Sequence, residues 1–247
     1  MLSAGLEFKH LSTDAMDMPQ RELQPDLSMF LASSVHDMKN SVSILIGGLE
    51  RVLTQASPEL FPAYQDVAHM LHETKRINSN LIQLLTTYKI GQDIYPFDPL
   101  PQSISEFALT ILAQQELLLR FHGITLELDC DESLYWQFDE DLVGGVICHA
   151  LNNAIRYTKD KVRLVIRETG DLLELRVEDN GSGFPAHMTQ GNPEAMRATD
   201  FQGGNTGLGL YFSAMVAKLH QRRNRSGGIR LENGGTYNGG CFVLHLP

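Results

Sequence analysis

The chain has 247 residues, 43% hydrophobic and 20% charged, the balance of a globular protein with one large domain or two small ones. Twenty Lys and Arg against thirty Asp and Glu leave a formal net charge of −10, which argues against a nucleic-acid clamp, since that needs basic surface. Cys130, Cys148 and Cys241 make no disulfide framework and point to a reducing, cytoplasmic compartment. No apolar run reaches the roughly 18 residues of a membrane span, and the N-terminus lacks the basic-then-apolar order of a secretory signal.

Residues 1–25, with Pro19 and Pro25, read as a tail. Asp26 is a candidate cap for a helix starting near Leu27. No proline follows until Pro58. Leu27, Leu31, Ser34, Met38, Ser41 or Val42, Leu45, Leu49 and Val52 recur at alternating spacings of four and three, a coiled-coil-like seam. Ser57-Pro58 breaks this helix. Ala63, Val67, Met70, Thr74, Ile77, Leu81, Leu84 and Tyr88 mark a second, ending at Gly91. Each helix of ~30 residues would reach about 45 Å. A hairpin so long and narrow cannot bury both stripes alone, so residues 26–92 are expected to pair with a second copy as a four-helix bundle.

Residues 93–105 are proline-rich and read as a linker. Residues 106–247 have the pattern of a separate α+β domain with helices against one mixed sheet. The expected order is a helix over Glu106–Phe121, strands over Ile124–Leu128 and Tyr135–Phe138, and a helix from about Asp139 to Tyr157. Strands over Val162–Arg167 and Leu172–Glu178 follow, then a Gly-rich segment and a helix from Leu208 to about Gln221. Short strands near Ile229–Glu232 and Cys241–Leu246 close the chain.

Four segments carry chemistry. On the first helix, His36 lies about 200° of rotation from Ser34 and Met38, so it faces solvent if they face the seam, and Asn40 shares its face. A carboxylate such as Asp37 can accept from one ring nitrogen and leave the other nucleophilic. The same residues also describe a solvated surface histidine. In the second segment, Val177–Phe184, a strand ends in Asp179 and then Gly181 and Gly183. Glycine admits a flat ligand close to the backbone and a carboxylate can accept from an exocyclic amine, though a plain hairpin turn fits as well. The third, Gly203–Leu210, is a glycine-rich loop opening a helix, suited to phosphate but neither a P-loop nor a dinucleotide fingerprint. In the fourth, Asn153 offers an oxygen suited to Mg²⁺ and Arg156 could meet phosphate, or both are ordinary polar residues at a helix end.

In this order the segments resemble the boxes of two-component sensor histidine kinases. His36-Asp37-Met38-Lys39-Asn40 resembles the H box and Asn153-Ala154-Ile155-Arg156-Tyr157-Thr158 the N box. Asp179-Asn180-Gly181-Ser182-Gly183 resembles the G1 box, and Thr206-Gly207-Leu208-Gly209-Leu210 the G2 box. The stretch Gly239–Pro247 looks like the closing strand of that ATPase domain. The resemblance runs from residue 27 to the end.

The resemblance implies a homodimeric histidine-phosphotransfer hairpin followed by a Bergerat-type α/β sandwich of the gyrase–Hsp90–histidine kinase–MutL superfamily, with ATP and Mg²⁺ as cofactors. His36 would be the phosphoacceptor and Asp37 its orienting carboxylate. Asp179 would hold the adenine amine, with Gly181 and Gly183 beside it. Asn153 would bind Mg²⁺, and Arg156 and Tyr157 the phosphate region. Thr206, Gly207, Leu208 and Gly209 would frame a lid over about residues 185–206. The phosphoryl group would pass to an aspartate of a response-regulator receiver domain, and Asp37 with Asn40 would also suit removing it again by hydrolysis.

The pattern departs from the family in four places. His149 stands where the N box usually begins with Asn, and imidazole is a poorer Mg²⁺ ligand than oxygen. Ser41 replaces a helix-kinking proline, and Asn205 replaces the first G2 glycine. About 25 residues precede the hairpin, too few for a sensory domain of ordinary size, so signals are expected from a separate sensory partner, from the tail or not at all, unless the chain is a fragment. Two other classes compete: a dimeric phosphotransfer or scaffold protein with weak or no autokinase activity, and a serine kinase of the anti-sigma type, which would not need the hairpin. His72 and Glu73 read as solvated helix residues, Cys148 with His149 lacks zinc-site spacing, and Trp136 reads as core.

Overall fold

A computed structural model describes residues 27–57, 60–190 and 207–247. Helices α1 (Leu27–Gln55) and α2 (Tyr64–Gly91) form the hairpin, with the ends that the proline break and Gly91 imply. Asp26 lies outside the described residues, as does the tail. Near the turn, Leu53 meets Val67, Ala68 and Leu71, and the Lys75 ammonium is 2.7 Å from Glu50 across the pair. Elsewhere the seam is not closed. Met38, Leu45 and Val52 on α1 are exposed at intervals of seven, and so are Met70, Ile77 and Leu84 on α2. Two helices meet along one stripe only, so these matched heptad rows are surplus to the hairpin.

The segment read as a linker is partly folded. Tyr95 and Phe97 pack on the main core, and β1 (Leu100–Ser103) pairs antiparallel with β3 (Tyr135–Phe138). Proline content hid this strand. Pro101 is tolerated because the pair is an isolated two-stranded ribbon, where a missing N–H breaks no central ladder. Helix α3 (Ile104–His122) begins two residues before the expected Glu106, because Ser103 caps it by accepting from the Glu106 N–H at 3.4 Å. It ends at Gly123, whose φ of +63° suits glycine.

A five-stranded mixed sheet follows, built from β2 (Thr125–Cys130), β4 (Lys161–Thr169), β5 (Leu172–Asp179), β8 (Gly228–Gly234) and β9 (Gly239–Leu246). The order is β2-β4-β5-β9-β8, with β2–β4 parallel and the other pairs antiparallel. Helices α3, α4 (Glu140–Tyr157) and α6 (Leu208–Leu219) pack on the sheet and enclose Phe138, Leu142, Ile147, Leu151, Leu164, Leu175 and Phe212. The alternate strand positions carry ion pairs, among them Arg163 with Asp129, Arg167 with Glu174 and Arg176 with Glu178. Trp136 is partly buried against the core and donates to the Pro247 carbonyl at 3.4 Å. Among the described residues no helix is long and apolar enough to cross a membrane.

Helix α6 stops before the expected Gln221. His220 leaves helical geometry, and Gln221–Arg222 and Arg225–Ser226 form a small ribbon through Arg223 and Asn224, both at positive φ. The cause is tertiary. The His220 ring is buried, its Nε2 accepting from the Asp139 N–H at 3.0 Å and its Nδ1 2.8 Å from the Val216 carbonyl. A second departure concerns His72, expected in solvent. Its ring meets His122 of α3 edge-on at 5.4 Å, its Nδ1 is buried without a hydrogen-bond partner, and burial lowers its pKa. His122 of α3 covers the ring there.

Asp139 ties the parts together. Its Oδ1 caps α4 through the Leu142 N–H at 3.0 Å and accepts from the Tyr95 hydroxyl at 3.2 Å, while Oδ2 accepts from the Asp98 N–H at 3.2 Å. Asp139→Ala removes a cap and two tethers of the segment after the hairpin. The expected loss is about 2–3 kcal/mol, read as a lowered thermal midpoint, and proteolysis should become faster within residues 93–99.

Candidate functional site

The site lies along one face of α4. His149, Asn153 and Tyr157 are four residues apart and share that face, a span of about 12 Å. The opposite face, with Ile147, Leu151 and Ile155, is buried in the core and fixes the helix.

At the Tyr157 end, β5 delivers Asp179, which is 7% exposed. Its Oδ1 accepts from the Gly181 N–H at 2.7 Å and the Gly240 N–H at 3.2 Å, so the carboxylate is held in one orientation. Among the described residues Oδ2 makes no hydrogen bond. A Cβ on residue 240 would sit 2.7 Å from that oxygen, so glycine there keeps the space beside it open. Gly181 lies so close to the end of α4 that a Cβ would overlap the Tyr157 carbonyl.

Two asparagines hold this turn. Asn180 Oδ1 accepts from the Thr158 hydroxyl at 2.7 Å and from the N–H groups of Lys159, Asp160 and Lys161 at 3.0–3.2 Å, and its Nδ2 donates to Asp160 at 2.7 Å. Asn233 on β8 accepts from the Phe184 N–H at 2.6 Å and donates to the Phe184 carbonyl at 2.8 Å, bracing Gly183 at φ +79°. Neither was among the expected site residues. Asn180 lay inside a motif already noticed. Asn233, fifty residues away, gave no local signal.

At the other end, Gly207 opens α6 in the left-handed region and Leu208 begins the helix. Gly209 faces His149 so closely that a Cβ would overlap the imidazole. His149 Nε2 is 2.9 Å from Asn153 Nδ2, and burial lowers the His149 pKa to about 4. The ring is therefore neutral at pH 7 and accepts at Nε2, which directs the Asn153 amide oxygen to the other side. Arg156 and Tyr157 sit one turn beyond Asn153, at the Asp179 end, with the guanidinium 5.4 Å from the Tyr157 ring centre. Short helix α5 (Ala186–Thr189) occupies the start of the expected lid. Thr206 and residues 191–205 lie outside the described residues.

The structure thus brings Asn153, Tyr157, Asp179, Gly181, Gly207, Leu208 and Gly209 to one edge. His36, Asp37 and Asn40 stand apart on α1, exposed. Asn40 Nδ2 is 3.4 Å and Asp37 Oδ1 3.7 Å from His36 Nδ1, so Nε2 is the nitrogen turned away from both. Among the described residues no cluster of three or more His, Cys, Asp or Glu could hold a metal ion.

Residues 138–247 match the family described as "Histidine kinase-, DNA gyrase B-, and HSP90-like ATPase". The chain is 25% identical over 226 residues to the sensor protein SrrB of Staphylococcus aureus, a match covering 88% of this chain and 37% of that protein. It therefore spans little more than a third of that relative. Among solved structures, the catalytic domain of histidine kinase ThkA aligns with 61% of this chain and 95% of its own, at TM-score 0.51 and 19% identity. Acinetobacter baumannii histidine kinase AdeS aligns with 85% of this chain and 96% of its own, at TM-score 0.55 and 18% identity. Full-length ShkA in complex with AMPPNP aligns with 89% of this chain and 46% of its own, at TM-score 0.60 and 17% identity. At these identities the structures speak for the fold.

The half-buried His149, its ring shut in between Asn153 and Gly209, makes stability depend on pH. Its ordinary value of 6.5 falls to about 4 in the folded chain, so the unfolded chain binds the proton first as pH drops. The stabilisation is whole above pH 6.5 and is lost as pH falls towards 4, to a total on the order of 3 kcal/mol. Urea unfolding from pH 7.5 to 4 should show this slope, and it should be shallower in His149→Gln.

Proposed function

We propose, on the premise that residues 138–247 are an ATPase domain of the histidine kinase, DNA gyrase B and HSP90 type and that the chain is homologous to a sensor protein, that it is a two-component histidine kinase acting as a homodimer. One observation carries this reading. A single chain joins an exposed histidine, flanked by Asp37 and Asn40 on α1, to an α4–β5–α6 edge with an oriented carboxylate beside closely packed glycines.

ATP is the expected phosphoryl donor. Asp179 Oδ2 would accept from the adenine amine, while Gly181 and Gly240 leave room for the flat base. About 12 Å further along α4, Asn153 and the N-terminus of α6 at Gly207–Gly209 would meet the phosphates, the free N–H groups and the helix dipole favouring negative charge. Mg²⁺ fits the donor set: Asn153 offers one hard oxygen, and this ion keeps waters and shares ligands with phosphates, whose charge it neutralises. Asp37 would hold His36 Nδ1–H and stabilise positive charge on the ring while Nε2 attacks the γ-phosphorus in line, the bond from that phosphorus to the β–γ bridging oxygen breaking and ADP leaving. Phosphotransfer to an aspartate of a response-regulator receiver domain would follow. Asn40, one turn above His36, would orient water for the reverse, phosphatase reaction. A cytoplasmic location belongs to the same reading.

A dimeric phosphotransfer or scaffold protein is the second reading, favoured by an imidazole at position 149 where an oxygen ligand is expected. Incubation with γ-labelled ATP and Mg²⁺ separates the two. Acid-labile, base-stable label on wild type, absent from His36→Gln and cut at least tenfold in Asn153→Ala, supports the kinase. A folded wild-type dimer that takes no label moves the reading to the scaffold, and label persisting on His36→Gln removes His36 from its role.

The exposed heptad rows support dimerisation. Burying Met38, Leu45, Val52, Met70, Ile77 and Leu84 against a second hairpin would contribute about 1.5–3 kcal/mol per fully buried side chain. Leu45→Glu with Ile77→Glu should yield a monomer by sedimentation that still binds ATP.

A further inference from the structure

We propose that His149 is a positioning residue for the nucleotide-bound metal, holding the Asn153 amide in its ligating orientation and fastening it to the start of α6. This rests on the reading of Asn153 as a Mg²⁺ ligand. An asparagine amide has two faces, an oxygen that attracts a cation and an NH₂ that repels one, and free rotation would present either. Here the NH₂ is engaged by His149 Nε2 at 2.9 Å, which leaves the oxygen on the opposite side. The ring is in turn immobilised, because it fills the space in which a side chain at residue 209 would stand. That is a reason for glycine at 209 distinct from phosphate contact. Any alanine there would push the ring and the amide together. The imidazole thus substitutes for the usual oxygen ligand without ligating: it acts through Asn153, as outer partners of metal ligands do. One ring links the metal ligand on α4 to the first turn of α6, so both are set before nucleotide arrives.

The test is the affinity for a fluorescent ATP analogue, measured with Mg²⁺ and again with EDTA, in the full chain and in His149→Leu, His149→Gln and Asn153→Ala. Thermal midpoints are recorded alongside. Leucine fills the space but accepts nothing, whereas the glutamine oxygen falls near the place of Nε2. The expected result is a gain from Mg²⁺ that drops about tenfold or more in His149→Leu, as in Asn153→Ala, and stays within about threefold of wild type in His149→Gln. In EDTA the loss in His149→Leu should be far smaller than the loss it shows with Mg²⁺. A full Mg²⁺ gain in His149→Leu overturns the inference. So does a loss of equal size with Mg²⁺ and with EDTA, which marks a purely structural role. A wild type that binds the analogue equally with and without Mg²⁺ instead removes Asn153 as a metal ligand, and this inference with it.

Discussion

The carboxylate of Asp139 is where the chain's separate parts become one object. It caps α4, receives the Tyr95 hydroxyl and the Asp98 N–H from the segment that leaves the hairpin, and its own N–H is held by His220 at the end of α6. Phe97 lies edge-on to that histidine at 5.0 Å. A buried carboxylate is costly unless its oxygens are satisfied, and here both are. The knot fixes the N-terminus of α4. The other end of α4 is fixed by Gly181 against the Tyr157 carbonyl, and the candidate nucleotide face runs between. A helix pinned at both ends is a rigid ruler, and that rigidity lets His149, Asn153 and Tyr157 keep their spacing.

Helices α2 and α3 are packed differently. Among the described residues, His72 Nδ1, Asn78 Oδ1, Gln83 Oε1 and Thr87 Oγ1 on α2, and Gln115 Oε1 on α3, are buried without hydrogen-bond partners. Each such atom costs about 1–3 kcal/mol relative to its hydrated state. The sheet-and-helix core, by contrast, keeps a continuous apolar interior. In the proposed reaction the exposed His36 would have to reach the nucleotide edge, which calls for movement of the hairpin relative to that edge.

Much of this was legible in the chain. Periodicity located both hairpin helices, and the strands β4, β5 and β9 fell where alternating apolar runs placed them. The outward orientation of His36 with Asn40 followed from helical rotation alone. Strand β1 was missed because Pro99 and Pro101 mask a ribbon that tolerates them, and the end of α6 was placed too late because no Gly or Pro stops the pattern after Leu219 and the partner of His220 is distant in sequence. His72 looked like a solvated residue because nothing within its own helix reveals that α3 covers it.

The sequence by itself determined most of the elements, the heptad rows and the chemistry available at Asp179, Asn153 and His36, because these follow from local spacing and side-chain type. Only the tertiary structure decided that the His149 ring lies between the Asn153 amide and Gly209, that Asn233 braces the turn after Asp179, and that Asp139 joins hairpin exit, α4 and α6. Each of these is a contact between segments tens of residues apart, or a choice of which face of an amide meets its neighbour. Local spacing carries no record of either, since both are set by how closely two backbones approach once the core has packed.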